Sequence, residues 1–199
     1  MFTHTSNLSH RIEPEPQPLP GDFAIWIFIF AELLVFGVLF AAFAFARSAH
    51  VELFTASQRT LNRTAGFANT LLLITSSYLV VRANHAIKTG DRKACWHWLL
   101  GALSLGTLFL LFKILEFRQD FAHGINLSSN LFYMFYLALT FFHFMHVIMG
   151  MVILAAVAIN TYHGRYSASN HTGVETGASY WHMVDLVWII LFALIYVIH

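Results

Sequence analysis

Five stretches of this chain run for about twenty residues or more with almost no charge, and they dictate what it can fold into. About 20 apolar residues, rising 1.5 Å each, carry an α-helix across the hydrocarbon core of a bilayer. The stretches fall at residues 22–46, 65–87, 95–117, 131–160 and 178–198. The chain is 58% hydrophobic and only 11% charged, where an ordinary soluble domain is about a quarter charged. A soluble fold of this length cannot hide so much apolar surface, because much of any small folded domain still faces water. The expected architecture is all-α, a polytopic membrane bundle of five transmembrane helices, with residues 22–199 as its one domain.

What lies outside the apolar stretches is short. Residues 1–21 are polar and proline-rich (Glu13-Pro14-Glu15-Pro16-Gln17-Pro18) and lack the apolar run of a signal peptide. They are expected to form a mobile polar tail, with the first apolar helix serving as an uncleaved anchor capped by Asp22. The segment 88–93 reads as a tight turn, and the connections 47–64, 118–130 and 161–177 are too short to house a second domain. The net charge is +1, so no nucleic-acid partner is expected, and the single cysteine, Cys95, rules out an intrachain disulfide or a thiolate cluster. Basic residues set orientation. Arg11, Arg82, Lys88, Arg92, Lys93 and Arg165 fall on one side, and Arg47, Arg59, Arg63 and Arg118 on the other. The larger group places the N-terminus inside and the C-terminus outside. Trp96, Trp98, Trp181, Tyr162, Tyr166 and Tyr180 fall near the inner ends, as an interfacial belt would.

Polar residues inside such helices need a partner or a purpose. Glu32 stands ten residues into the first stretch, about 15 Å along its axis. It reads as a buried carboxylate, either coupled to protons or hydrogen-bonded to a neighbouring helix. His143 and His146 are three apart and share a helical face, with Gly150 one turn further on allowing close approach. A metal there would need more ligands at the same depth, and a haem would need a facing imidazole, for which His182 is the candidate. Interhelical hydrogen bonding asks for less. His182 and Asp185 are one turn apart and are expected to pair, so that His143, His146, His182 and Asp185 form an interhelical polar network. Lys113 and Glu116 read as a snorkelling pair near the headgroups. Glu116, Trp181 and Trp188 are therefore expected at subunit or lipid contacts. Asn69, Thr70, Thr75, Ser76 and Ser77 read as ordinary interhelical hydrogen-bonding groups. No residue pattern points to a catalytic centre or to a metal held by this chain.

Read in order, the motifs resemble a known family. Ala31-Glu32-Leu33-Leu34-Val35-Phe36 is followed by Asn69-Thr70 with Leu72-Leu73, then by His85 with Gly90-Asp91-Arg92-Lys93, then by Glu116-Phe117. After these come Thr140-Phe141-Phe142-His143 with His146-Val147-Ile148-Met149-Gly150. The series ends with Asn170-His171 and Tyr180-Trp181-His182-Met183-Val184-Asp185-Leu186-Val187-Trp188. The ordered set is similar to subunit III of the haem-copper terminal oxidases, from about Asp22 to the C-terminus. The resemblance implies a non-catalytic subunit beside a catalytic subunit I that carries haem and copper, in the respiratory chain of a bacterial inner membrane. It implies phospholipid as a bound partner, a stabilising role, and support of proton uptake. Glu32 matches the family's carbodiimide-reactive carboxylate. Longer members have two further N-terminal helices beside a lipid cleft, which this five-helix form is expected to lack. The five-helix form also resembles the NorE-type proteins that accompany nitric oxide reductase, which makes that enzyme's catalytic subunit the alternative partner. An independent haem-binding or transport protein built on the histidines is the remaining alternative.

Overall fold

The computed structural model describes residues 22–198. The expected tail at 1–21 lies outside the described residues. Six α-helices follow one another: α1 (Phe23–Ala49), α2 (Val51–Gln58), α3 (Arg63–Lys88), α4 (Arg92–Ala122), α5 (Leu131–Tyr162) and α6 (Thr172–Phe192). A π-helical turn, Ala193–Val197, continues α6. Among the described residues five spans are long and apolar enough to cross a membrane, and they are the five expected.

Local chemistry sets most of the helix ends. Asp22, Asn62, Asp91 and Asn130 cap α1, α3, α4 and α5, each side chain accepting a hydrogen bond from an otherwise unpaired amide of the first turn. At the other end of α3, Gly90 sits at φ +84°, and the Asp91 amide turns back to the Ala86 carbonyl at 2.9 Å. A side chain at that φ would be strained. Gly124 and Gly164 close α4 and α5 in the same way.

The spans outrun the apolar stretches by a few polar residues, because a helix extends through the headgroup region once its ends are capped. The last span departs most. It starts at Thr172, not near Ala178. The polar run Thr172-Gly173-Val174-Glu175 is helical, and Glu175 is held by Lys88 of α3 at 2.6 Å.

The connection after α1, too short for a second domain, contains α2. Phe54 is buried edge-on against Phe43 of α1 and Phe132 of α5, with ring centroids 5.3 and 5.5 Å apart. Eight residues with one apolar anchor give little periodic signal. The anchor's partners come from α1 and α5.

Helix α6 is the axis of the bundle, packed on α1, α3 and α5, while α4 closes the layer between α3 and α5. Helix α1 stands at the periphery. Its buried residues are Ile29, Phe36 and Phe43, seven apart, so it touches the bundle along a single ridge. Phe30, Leu34, Val38 and Phe45 face outward, a surface that only lipid or another membrane protein can cover.

Candidate functional site

Three polar clusters hold the helices together, and they differ in how completely they are satisfied. The first joins α1 to α5. Glu32 Oε2 lies 2.9 Å from His146 Nε2, and His146 Nδ1 lies 2.8 Å from the Phe142 carbonyl. A carbonyl can only accept, so Nδ1 carries a proton. A neutral His146 then has Nε2 as an acceptor, and Glu32 must donate to it. The alternative is an imidazolium beside a carboxylate. Either way the pair holds a single proton along this axis, and moving it changes both partners together. Phe36 and Phe142 wall the imidazole, with ring centroids 5.2 and 4.6 Å away. Glu32 and His146 keep 20% and 12% of their side-chain accessible surface. The carboxyl is thus half-buried at an open seam rather than sealed inside, as expected from its depth alone. This follows from α1 touching the bundle along one ridge.

The second cluster joins α3 to α6. Here the expected pairing of His182 with Asp185 is not what the side chains do. His182 Nδ1 meets Ser77 Oγ at 2.6 Å, and Asp185 also has Ser77 within hydrogen-bonding reach. Asp185 Oδ1 is buried with no hydrogen-bond partner among the described residues. A serine on the facing helix offers a shorter, better-aimed partner than a residue one turn along the same helix. Trp188 Nε1 donates to Thr70 Oγ1 at 3.0 Å, a further α3–α6 link.

The third cluster lies at the far end of α4 and corrects the expectation of a snorkelling pair. Lys113 is buried, 1% exposed, with Nζ 3.1 Å from Glu116 Oε1 and 3.3 Å from Tyr196 OH. The rings of Phe117, Tyr136, Trp188 and Tyr196 surround it at 5.2–5.9 Å, each able to face a cation. Tyr136 and Tyr196 both donate to Glu116 Oε1 at 2.7 Å, and Tyr136 also reaches Asp120 Oδ2 at 3.1 Å. Glu116 therefore anchors the chain's own bundle, with 13% of its side chain still exposed. It faces inward because an ammonium so enclosed needs a carboxylate beside it.

Trp181 and Trp188 are fully buried too, against the expectation of a contact surface. Trp181 fills a slot made by Gly106 of α4 and Gly150 of α5. A Cβ on Gly150 would stand 2.8 Å from its ring, and one on Gly106 would stand 3.0 Å from it. The close approach at Gly150 is thus to an indole, not to a backbone. His143 lies between Phe109 and Trp188, 6.1 and 5.1 Å away, and neither ring nitrogen has a hydrogen-bond partner among the described residues. The expected network of four residues is split: His146 serves α1, His182 and Asp185 serve α3, and His143 packs as an aromatic. Sequence reasoning missed Tyr136, Tyr196 and Asp120. Asp120 was findable, since Lys113, Glu116 and Asp120 repeat at three and four residues along one face.

Fold and clusters together define a polytopic membrane bundle whose buried polar groups cross-link helices. Among the described residues no group of three or more His, Cys, Asp or Glu is placed to hold a metal ion. The chain belongs to the cytochrome c oxidase subunit III family, whose model matches residues 21–199. It is accordingly a non-catalytic, accessory subunit of a haem-copper oxidase. It is 34% identical over 184 residues to cytochrome c oxidase subunit 3 of Thermostichus vulcanus, covering 86% of this chain and 84% of that one. It is 31% identical over 197 residues to the probable cytochrome c oxidase subunit 3 of Mycobacterium bovis, covering 98% and 97%. The Arabidopsis thaliana subunit 3 is 35% identical over 130 residues, which span 65% of this chain and 48% of the plant protein.

Proposed function

We propose that this chain flanks the haem-copper catalytic subunit I of a respiratory oxidase in a bacterial inner membrane. There it stabilises that subunit and its phospholipid shell and supports proton uptake during aerobic electron transfer. The haem and copper belong to the partner. The observation that carries the reading is the Glu32–His146 pair at the open α1–α5 seam, beside a helix that keeps most of its surface for something other than its own bundle. A shared proton at such a seam can respond to a neighbouring membrane protein. The excess of basic residues at Arg82, Lys88, Arg92, Lys93 and Arg165 supports an inner N-terminus and an outer C-terminus.

The test is purification of the tagged chain in mild detergent, with mass-spectrometric identification of what accompanies it. A haem-copper oxidase subunit I is expected, with the Soret absorbance tracking that subunit. A nitric oxide reductase catalytic subunit in its place would move the chain to the NorE-type role. Haem or metal on the chain alone would overturn both.

A further inference from the structure

The end of the bundle where α1 and α6 begin carries cations that the clusters above do not use. The Asp22 amide donates to Thr176 Oγ1 at 3.1 Å, so α1 starts against the first turn of α6. The turn between α3 and α4 and the loop between α5 and α6 lie at the same end, where Lys88 is held by Glu175 of α6. Arg92, Lys93 and Arg165 have no ion-pair partner among the described residues. The adjacent acid, Asp91, is engaged as a helix cap, its Oδ1 accepting from the Ala94 amide at 2.9 Å.

Arg92 and Lys93 are exposed, and with Tyr166 and Ser167 they line a cavity of about 510 Å³. Its walls are fixed before anything enters. Gly164 leaves room for the Arg92 guanidinium, which a Cβ there would meet. Gly173, at the start of α6, does the same for the Tyr166 ring. Ser167 and Asn170 exchange two backbone hydrogen bonds, of 3.0 and 3.1 Å, that close the loop carrying that ring. The cavity therefore offers two cations without carboxylates beside a half-buried tyrosine.

Such a surface fits an acidic segment rich in proline. Proline-rich chains dock on aromatic-lined grooves because their backbone has little freedom left to lose. This chain carries one such segment, Glu13-Pro14-Glu15-Pro16-Gln17-Pro18, outside the described residues. Prolines at 14, 16, 18 and 20 restrict their own φ and the backbone of the residue before each, which lowers the entropy lost on docking. Glu15 is seven residues before Asp22, a reach of about 22 Å at about 3.1 Å per residue. Packed helix axes lie about 8–10 Å apart, so two steps, from α1 across α6 to the turn after α3, come to about 20 Å. From the place where α1 starts, Glu15 can reach Arg92 and Lys93.

We infer that the segment 13–18 of this chain docks in this cavity, its carboxylates against Arg92 and Lys93 and a proline against Tyr166. The strap fastens, from its N-terminal end, the helix that touches the bundle along only one ridge. The inference does not depend on which catalytic subunit stands beside the chain.

The experiment uses the full chain, with whatever accompanies it, in mild detergent. A water-soluble carbodiimide condenses a carboxylate with an amine that it touches, forming an amide while the carbodiimide takes up the water. Peptide mass spectrometry locates the bond. The wild type is expected to give an intrachain link from Glu13 or Glu15 to Lys93. Arg92→Glu, which keeps the Lys93 amine in place, and Tyr166→Ala are each expected to lower its yield about fivefold. The charge-reversed chain Glu13→Lys/Glu15→Lys/Arg92→Glu/Lys93→Glu is expected to regain the link with the amine now on the tail, which a misfolded chain could not do. Absence of the link in the wild type overturns the inference. So does an unchanged yield in either Arg92→Glu or Tyr166→Ala, because the contact is then random collision. A link from Lys93 to a carboxylate of an accompanying protein, in place of Glu13 and Glu15, also overturns it and gives the cavity to that partner.

Discussion

Two of the acids inside this bundle each sit beside a base, and they are built to opposite ends. Glu116 has three donors, Lys113, Tyr136 and Tyr196, all aimed at one of its oxygens. Glu32 has His146 as its hydrogen-bond partner and an open side. The first arrangement ties α4, α5 and the turn after α6 into one knot, and any change of charge there strands a buried partner. The second fastens a peripheral helix by a single proton that either partner can hold. Inside a membrane, a carboxyl given several donors serves the fold, while one given a single donor and an open edge is left free to serve a neighbour.

The largest test of this contrast is Glu116→Leu. It leaves Lys113 buried without a counter-charge, and thermal unfolding in detergent is expected to show a loss of about 3–5 kcal/mol. Lys113→Met added to it should recover most of that loss, since an apolar pair of similar volume replaces the ion pair. No loss in the single variant would remove the distinction between the two acids.

Gly150→Ala comes next. The new methyl group meets Trp181, and overpacking of this kind costs about 1–3 kcal/mol. Unchanged stability would mean the indole is not wedged in its slot. Ser77→Ala removes the partner of His182, and a loss of about 0.6 kcal/mol, typical of membrane interhelical hydrogen bonds, is expected in the same assay. A larger cost there would make the α3–α6 seam a second knot.

The smallest stability effect belongs to Glu32→Gln, because an amide can still donate to His146. Its unfolding midpoint should match wild type, while carbodiimide labelling of the chain is abolished. Labelling that persists, or a fall in stability like that of Glu116→Leu, would erase the difference between the acid with three donors and the acid with one.

The five spans were legible in the sequence, because hydropathy over twenty residues is a local property. So were the cap at Asp22 and the tight turn at 88–93, which depend on neighbours a few residues away. The clusters were legible only in part. Lysine near the end of an apolar helix ordinarily reaches for the headgroups, and Lys113 turns inward because rings from α5, α6 and the turn after α6 converge on it. Trp181 and Trp188 look like interfacial residues by type. They are interior because Gly106 and Gly150 open a slot for one and Thr70 offers an acceptor to the other. Ser77 was read as ordinary interhelical glue, yet it takes the bond that His182 was expected to give Asp185. Each of these outcomes is set by residues far away in the chain, which no local pattern records.

The π-helical turn after α6 leaves backbone carbonyls that the regular ladder does not fully satisfy, and Gln58 of α2 donates to two of them, Leu194 and Ile195, at 3.1 Å. These contacts bridge 136 and 137 residues of chain. During synthesis the amide of Gln58 therefore waits for its acceptors until a further 137 residues have been translated. Helix α2 can settle only when α6 and its π-helical turn arrive, so this part of the bundle is locked from a later helix back to an earlier one.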